Sequence, residues 1–418
     1  VACVVVSAPK EGEAPSRSPI NKIGKKKDIF FIQKIKGTNC FYYSLFAESR
    51  KTRYHSFDMI FTILLFVVIL SVLVFVHELG HFLMARACGM KVEEFGFGFP
   101  PRVFGIRRGS TLYSINWIPI GGFVKIKGEN GDDRHATDSF SSKKIWQRFL
   151  VLVAGVAMNF FLAAILLSIG FMIGLPSIID RILPATAHVS ERHLSVMRVL
   201  PDSPAEKAGI TEGDVIVTID GRVMEKEDDV RTYLADHGTK GIDLAIEKVD
   251  KTIRAVHVTA EPLVGAQITG IGVAFVQTGR VSYPFYLAVP EGVRATIQMT
   301  GQIFSSFFGL LKSFVQGHGA GANLSGPVGI AAMTGQVASI GFVYILQFAA
   351  LLSINLCVVN ILPFPALDGG RIFFLLIEKI RGKTLNERLE IFAHNFGFML
   401  LMALIVFVTV KDVMHLFK

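Results

Sequence analysis

Between Met59 and Val76 the chain runs for 18 residues without a charged side chain. As a helix this is long enough to cross most of the hydrocarbon core of a bilayer. No other feature limits the fold as tightly. In lipid every backbone polar group must find its partner within the membrane-spanning structure, which leaves only helices or closed barrels. Three further apolar stretches of spanning length lie at about residues 149–175, 340–362 and 392–410. The expected fold is therefore a polytopic α-helical membrane protein with four transmembrane helices. Apolar residues make up 51% of the chain and charged ones 18%, against about 25% charged in ordinary soluble proteins. That balance excludes disordered, collagen-like and disulfide-framework classes. The apolar run at about 304–315 is too short to span and is expected to lie in the membrane interface.

The formal net charge is +9. Residues 1–58 hold 11 of the 43 basic groups and 5 of the 34 acidic ones, a net of +6, so the rest of the chain carries only +3. A nucleic-acid partner is not needed to explain the excess, and none is expected. This first segment has a triple lysine at Lys25–Lys27, scattered Pro and Ser, and no apolar stretch of the kind a signal peptide requires. It reads as a disordered or spurious extension and is set aside from fold reasoning. The four cysteines, Cys3, Cys40, Cys88 and Cys357, show no paired spacing and read as inert.

Residues 87–145 mix glycine turns with strand-like runs, and 111–127 reads as a hairpin broken at Pro119 and Gly121–Gly122. Residues 190–262 read as a water-soluble unit. Short basic loops mark the cytoplasmic side. Residues 86–148 carry 11 Lys and Arg, and the link around Arg371, Lys379, Arg381, Lys383 and Arg388 carries five more. The soluble unit is then expected outside the cytoplasm.

The chemistry sits where charge is least welcome. The first span continues into His77-Glu78-Leu79-Gly80-His81. Residues four apart share a helix face, so both imidazoles can reach one metal ion, with Glu78 placed to take a proton from a water on it. Ionisable groups inside an apolar span are costly unless paired or coordinated, which makes them functional by default. A catalytic zinc wants a third protein ligand and one open position. Asp368 is the best candidate. It follows Asn360-Ile-Leu-Pro-Phe-Pro-Ala-Leu, whose two prolines forbid a regular helix, and precedes two glycines. Irregular backbone at membrane depth is tolerated where it lines a cavity.

These residues resemble the site-2 proteases, the intramembrane zinc metalloproteases. Gly155-Val-Ala-Met-Asn159 resembles the family's G-x-x-x-N element. The segments Phe95-Gly-Phe-Gly-Phe-Pro100 and Ile118-Pro-Ile-Gly-Gly-Phe-Val-Lys125 resemble its membrane-dipping β-hairpin. Ser325-Gly-Pro-Val-Gly-Ile330 resembles the stretch before its third span. The run from Pro201 to Asp214, followed by Val215 to Gly221, resembles a bacterial PDZ domain, with a helix start at Ser203-Pro204 and a turn at Asp220-Gly221. With one such domain the chain is similar to the regulator of sigma-E protease branch in a single-PDZ form. The division expected is a membrane protease domain in two halves, 59–189 and 263–418, with an α+β PDZ domain at 190–262 inserted between them.

The resemblance implies Zn2+ held by His77, His81 and Asp368, Glu78 as general base, and substrate contacts from Asn360, Asn159 and the hairpin glycines Gly121 and Gly122. It implies an endopeptidase acting on single-pass transmembrane proteins, such as anti-sigma factors or remnant signal peptides. The membrane would be the bacterial inner (plasma) membrane with the PDZ unit extracytoplasmic, a plastid membrane being the alternative. Lipid is a partner by default, and the PDZ unit would take peptide ends or filter substrates by size. Two other classes are weighed. An inactive PDZ-bearing membrane adaptor is disfavoured by the complete set of site residues. A transporter would show paired broken helices in similar halves, and only one broken segment is found.

Overall fold

The computed structural model describes residues 56–416 apart from 130–132, 134–135, 180–182, 184–185, 225–226, 238–239, 249–251, 263–268, 317–325 and 384–386. Most of the 1–58 extension, and Ser325, therefore lie outside the described residues.

The chain enters through α1 (Ser56–Ala87), turns into the paired strands β1 (Val92–Arg108) and β2 (Thr111–Ile126), and returns through α2 (Ile145–Ile173). A sheet-forming unit follows. Its strands are β3 (Leu175–Ile178), β4 (His188–Val199), β5 (Val215–Ile219), β6 (Ile242–Glu247), β7 (Ile253–Val258) and the short pair β8 (Glu261–Pro262) and β9 (Thr269–Gly270), then β10 (Val273–Ser282). Two helices, α3 (Pro204–Lys207) and α4 (Glu227–His237), lie between them. The chain ends in α5 (Phe285–Val315), α6 (Pro327–Ile340), α7 (Phe342–Ile361), α8 (Asp368–Arg381) and α9 (Glu387–Leu416).

Among the described residues, four helices are long and apolar enough to cross a membrane: α1, α2, α7 and α9. They fall on the four apolar stretches read from the sequence. α7 is the most buried of them, with every residue from Gln347 to Val358 buried, and α2 packs against both α1 and α7. α1 and α9 turn large apolar side chains outward, among them Phe61, Leu64 and Val68 on one and Phe392, Phe396 and Phe407 on the other. Such surfaces are stable only against lipid or a partner. The apolar run at 304–315 becomes the second half of α5, a helix of 31 residues. The sequence reading stopped short because the first half carries Pro290, Glu291 and Arg294 and lacks the hydropathy, though not the helix.

This unit is built on a six-stranded antiparallel sheet in the order β3-β10-β4-β5-β6-β7. Along β6 Ile242, Leu244 and Ile246 are buried while the side chains between them are less so, the period-two signature of a half-buried strand. They share a core with Leu194, Val196, Ile216 and Ile219. Ser203 caps α3 by accepting from the Glu206 N–H at 3.3 Å. Asp220 and Gly221 both take positive φ, 48° and 75°, as a tight hairpin turn demands. The sheet also recruits β3 and β10 from outside residues 190–262.

The hairpin differs from the reading of 111–127 as a broken pair. Residues 111–126 form one bent strand that pairs with β1, and the reversal falls at Gly109-Ser110. Gly121, at φ 73°, lets the strand bend without ending. As a result residues 94–97 lie between 122–125 on one side and 112–115 on the other. Phe104, Ile115 and Trp117 project from the far end, exposed.

Candidate metal centre

His77 and His81 lie one helical turn apart near the end of α1, and both are buried. Their Nε2 atoms are 3.2 Å apart. Asp368, the first residue of α8, brings Oδ2 to 3.0 Å from His77 Nε2 and 3.4 Å from His81 Nε2. Zinc–ligand bonds of about 2.0–2.1 Å at tetrahedral angles put neighbouring ligand atoms about 3.3 Å apart. The three separations match that spacing.

The surroundings leave the ligand atoms free for a cation. His81 Nδ1 lies 2.8 Å from the carbonyl of Val151, so a neutral ring donates there and keeps a bare lone pair on Nε2. Among the described residues, buried Asp368 Oδ2 has no hydrogen-bond partner. Lone pairs aimed at one point repel unless a cation stands between them. The residues present fit zinc.

Close helix packing makes this convergence possible. A Cβ on Gly155 of α2 would fall 2.3 Å from His81 Nε2, and one on Gly80 would fall 2.4 Å from the Ala154 carbonyl oxygen. Two side-chain pairs anchor α8. Arg148 of α2 pairs with Glu378 at 2.6 Å, and Arg371, one turn after Asp368, pairs with Glu129 at the end of the hairpin.

The other sequence-derived residues have distinct places. Asn360, in the last turn of α7, puts Nδ2 3.5 Å from His77 Nε2 and is only partly buried. Asn159 was read as a substrate contact, but its side chain is wholly buried behind His77, with Nδ2 3.4 Å from Nδ1. Its Oδ1 has no partner among the described residues. A half-turn of the amide would let Oδ1 accept from His77 Nδ1 and leave Nε2 for a metal. Gly121 and Gly122, the hairpin glycines expected to contact substrate, are buried where the hairpin meets α1, on the strand edge beside Glu78. A Cβ on Gly121 would lie 2.7 Å from Val74, and one on Gly122 3.3 Å from Phe75.

Glu78 Oε2 accepts the N–H of Val124 at 3.2 Å. Three residues earlier, Gly121 N–H is donated to Ser71 Oγ at 3.3 Å, and that hydroxyl is donated to the Pro119 carbonyl at 2.6 Å. The strand edge beside the centre is therefore capped by side chains of α1. Sequence reasoning missed Ser71, Glu129 and Arg371. Ser71 alone carried a signal, as a hydroxyl within an apolar run.

The profile of peptidase family M50 matches residues 65–404. A candidate zinc metalloprotease of Clostridium perfringens is 38% identical over 362 residues, covering 85% of this chain and 98% of its own length. The regulator of sigma-W protease RasP of Bacillus subtilis is 32% identical over 437 residues, covering 85% and 99%. Among solved structures, the PDZ domain of an SdrC-like protein from Listeria monocytogenes matches 21% of this chain and 92% of its own, at 19% identity and a TM-score of 0.19. The chain belongs to peptidase family M50, the site-2 proteases.

Proposed function

We propose that this protein is a zinc-dependent endopeptidase that cuts transmembrane segments of single-pass membrane proteins. The observation that carries the proposal is the convergence of His77, His81 and Asp368 to within 3.4 Å, two of them on an apolar spanning helix beside Glu78. His77, His81 and Asp368 would hold the metal. When bound, zinc acidifies a water and polarises the scissile carbonyl. Glu78 takes the proton of the attacking water and returns it to the leaving nitrogen. Asn360, at the open side of the ligand cluster, hydrogen-bonds the substrate backbone.

A helical substrate hides its carbonyls in its own hydrogen bonds, so it must be held extended to be cut. The edge of β2 from Gly121 to Val124 lies beside Glu78 and supports strand addition as the means. Basic residues around the hairpin and α8 support a cytoplasmic placement for that end. The soluble unit then stands outside, as a PDZ-like filter against substrates that keep a bulky outer domain. Its place is the bacterial plasma membrane, and the name of the Bacillus subtilis relative supports anti-sigma factors as one substrate class.

The test is a cleavage assay in membranes with a tagged single-pass substrate, with and without its outer domain. Glu78→Gln keeps the side-chain size and should lower turnover about a hundredfold to ten-thousandfold while zinc content stays stoichiometric. Equal cutting by both proteins would refute the role of Glu78. Equal cutting of trimmed and untrimmed substrates would remove the filter.

A further inference from the structure

The turn that delivers Asp368 is built on a residue poorly suited to it. The N–H of Leu367 is donated to the Phe364 carbonyl at 3.2 Å, closing a β-turn over Pro365 and Ala366. Ala366 has φ 80°. Proline in second place and a positive φ in third define a type II turn, whose third position favours glycine because a Cβ crowds the backbone there. Type I and type II turns differ by a flip of the peptide between the two central residues. An alanine at this position by itself favours type I.

One contact opposes that preference. The Ala366 N–H, which belongs to the peptide that flips, is donated to His394 Nδ1 at 3.0 Å. His394 comes from α9 and stands edge-on to Phe374 of α8, with ring centroids 5.4 Å apart. Gly397, one turn further along α9, lets that helix close on the turn, since a Cβ there would fall 2.5 Å from the Pro365 carbonyl oxygen. Accepting at Nδ1 puts the ring proton of neutral His394 on Nε2, which is buried without a partner. Among the described residues the ring makes this one hydrogen bond. Because α8 starts two residues after Ala366, the orientation of the Pro365–Ala366 peptide sets the direction from which the Asp368 carboxylate approaches His77 and His81.

We propose that His394 is a positioning residue: its Nδ1 holds the Pro365–Ala366 peptide in the type II orientation and so places Asp368 in the ligand cluster. The proposal rests on the metal reading above. It is tested on the purified full-length protein through zinc retention against a competing chelator and the visible spectrum of the cobalt-substituted form. His394→Phe keeps an aromatic ring but offers no acceptor, and should hold the metal about tenfold more weakly. His394→Asn carries an oxygen near the position of Nδ1 and should behave like the parent. In the His394→Phe background, Ala366→Gly should restore retention and the four-coordinate cobalt spectrum, because glycine takes positive φ unaided. If His394 only packs the bundle, the glycine restores nothing, and that result overturns the proposal. Parental retention by His394→Phe also overturns it while leaving the zinc reading intact. A parent protein that binds no zinc overturns both.

Discussion

Replacing Gly155 with alanine sets two effects of opposite sign against each other, and the structure says which wins. In an open helix the change is stabilising by about 1 kcal/mol, because alanine has the higher helix propensity. At Gly155 the new methyl carbon would stand 2.3 Å from His81 Nε2, about 1 Å inside ordinary contact. His81 cannot swing aside cheaply, since its Nδ1 is held at 2.8 Å by the Val151 carbonyl on the same α2 helix. Overpacking of this size costs about 1–3 kcal/mol. Disturbing a ligand's support costs about ten- to a hundredfold in metal affinity. The expected result is zinc content well below stoichiometric at limiting metal and a loss of cleavage of about a hundredfold or more, the penalty for misplacing a reacting centre by an ångström. Gly301→Ala in α5 is the control, because a Cβ there meets nothing within 4 Å. Metal analysis of the purified proteins and the membrane cleavage assay give the readouts. Full zinc occupancy together with parental turnover in Gly155→Ala would refute the claim that α2 backs the ligand.

Two further predictions concern the six-stranded sheet unit. Asp214 is fully buried and accepts from Lys248 Nζ at 2.7 Å and from the Thr211 N–H at 2.7 Å, so Lys248→Met strands a buried charge and should cost about 3–5 kcal/mol. Hydrogen exchange should then show β5 and β6 losing at least about a hundredfold of protection; unchanged protection would contradict the assignment. The carboxylate of Asp220 is held below the usual range by the Asp243 N–H at 2.7 Å and next by the Tyr233 hydroxyl at 2.8 Å. Its contribution to stability is complete above about pH 4 and disappears as pH falls through the depressed native value. Asp220→Asn should flatten the acid limb of the unit's stability curve, and an unaltered limb would count against this contact.

The parts of this molecule legible in its sequence were those written in local pattern. Uncharged runs gave the four long helices, the i, i+4 spacing put His77 and His81 on one face, and the proline-broken segment marked Asp368. Ser203-Pro204 and Asp220-Gly221 marked a helix start and a turn because capping and positive φ each demand particular residues. What stayed hidden depends on contacts between distant segments. The Arg371–Glu129 and Arg148–Glu378 pairs join residues more than 200 positions apart, and nothing local marks either partner. Asn159 was expected near substrate only through the resemblance of Gly155–Asn159 to the family's G-x-x-x-N element. Its depth behind His77 follows only from how tightly α1 and α2 meet at Gly80 and Gly155. Pro119 and Gly121–Gly122 signalled a break, yet β2 bends there and continues, wrapping β1 so that residues 94–97 are paired on both sides. The length of α5 was hidden because hydropathy reports the solvent a helix prefers and is silent on where a polar helix begins.

The caps on the β2 edge bear on when the enzyme is armed. An N–H serves one strong acceptor at a time, and that of Val124 is taken by Glu78. A substrate strand laid along this edge would offer its own carbonyl to the same donor and displace the carboxylate. On the proposed reading, engagement and activation would be coupled: Glu78 Oε2, held by Val124 while the edge is unoccupied, would be released by the polypeptide about to be cut. An enzyme built this way would have its base freed by substrate itself.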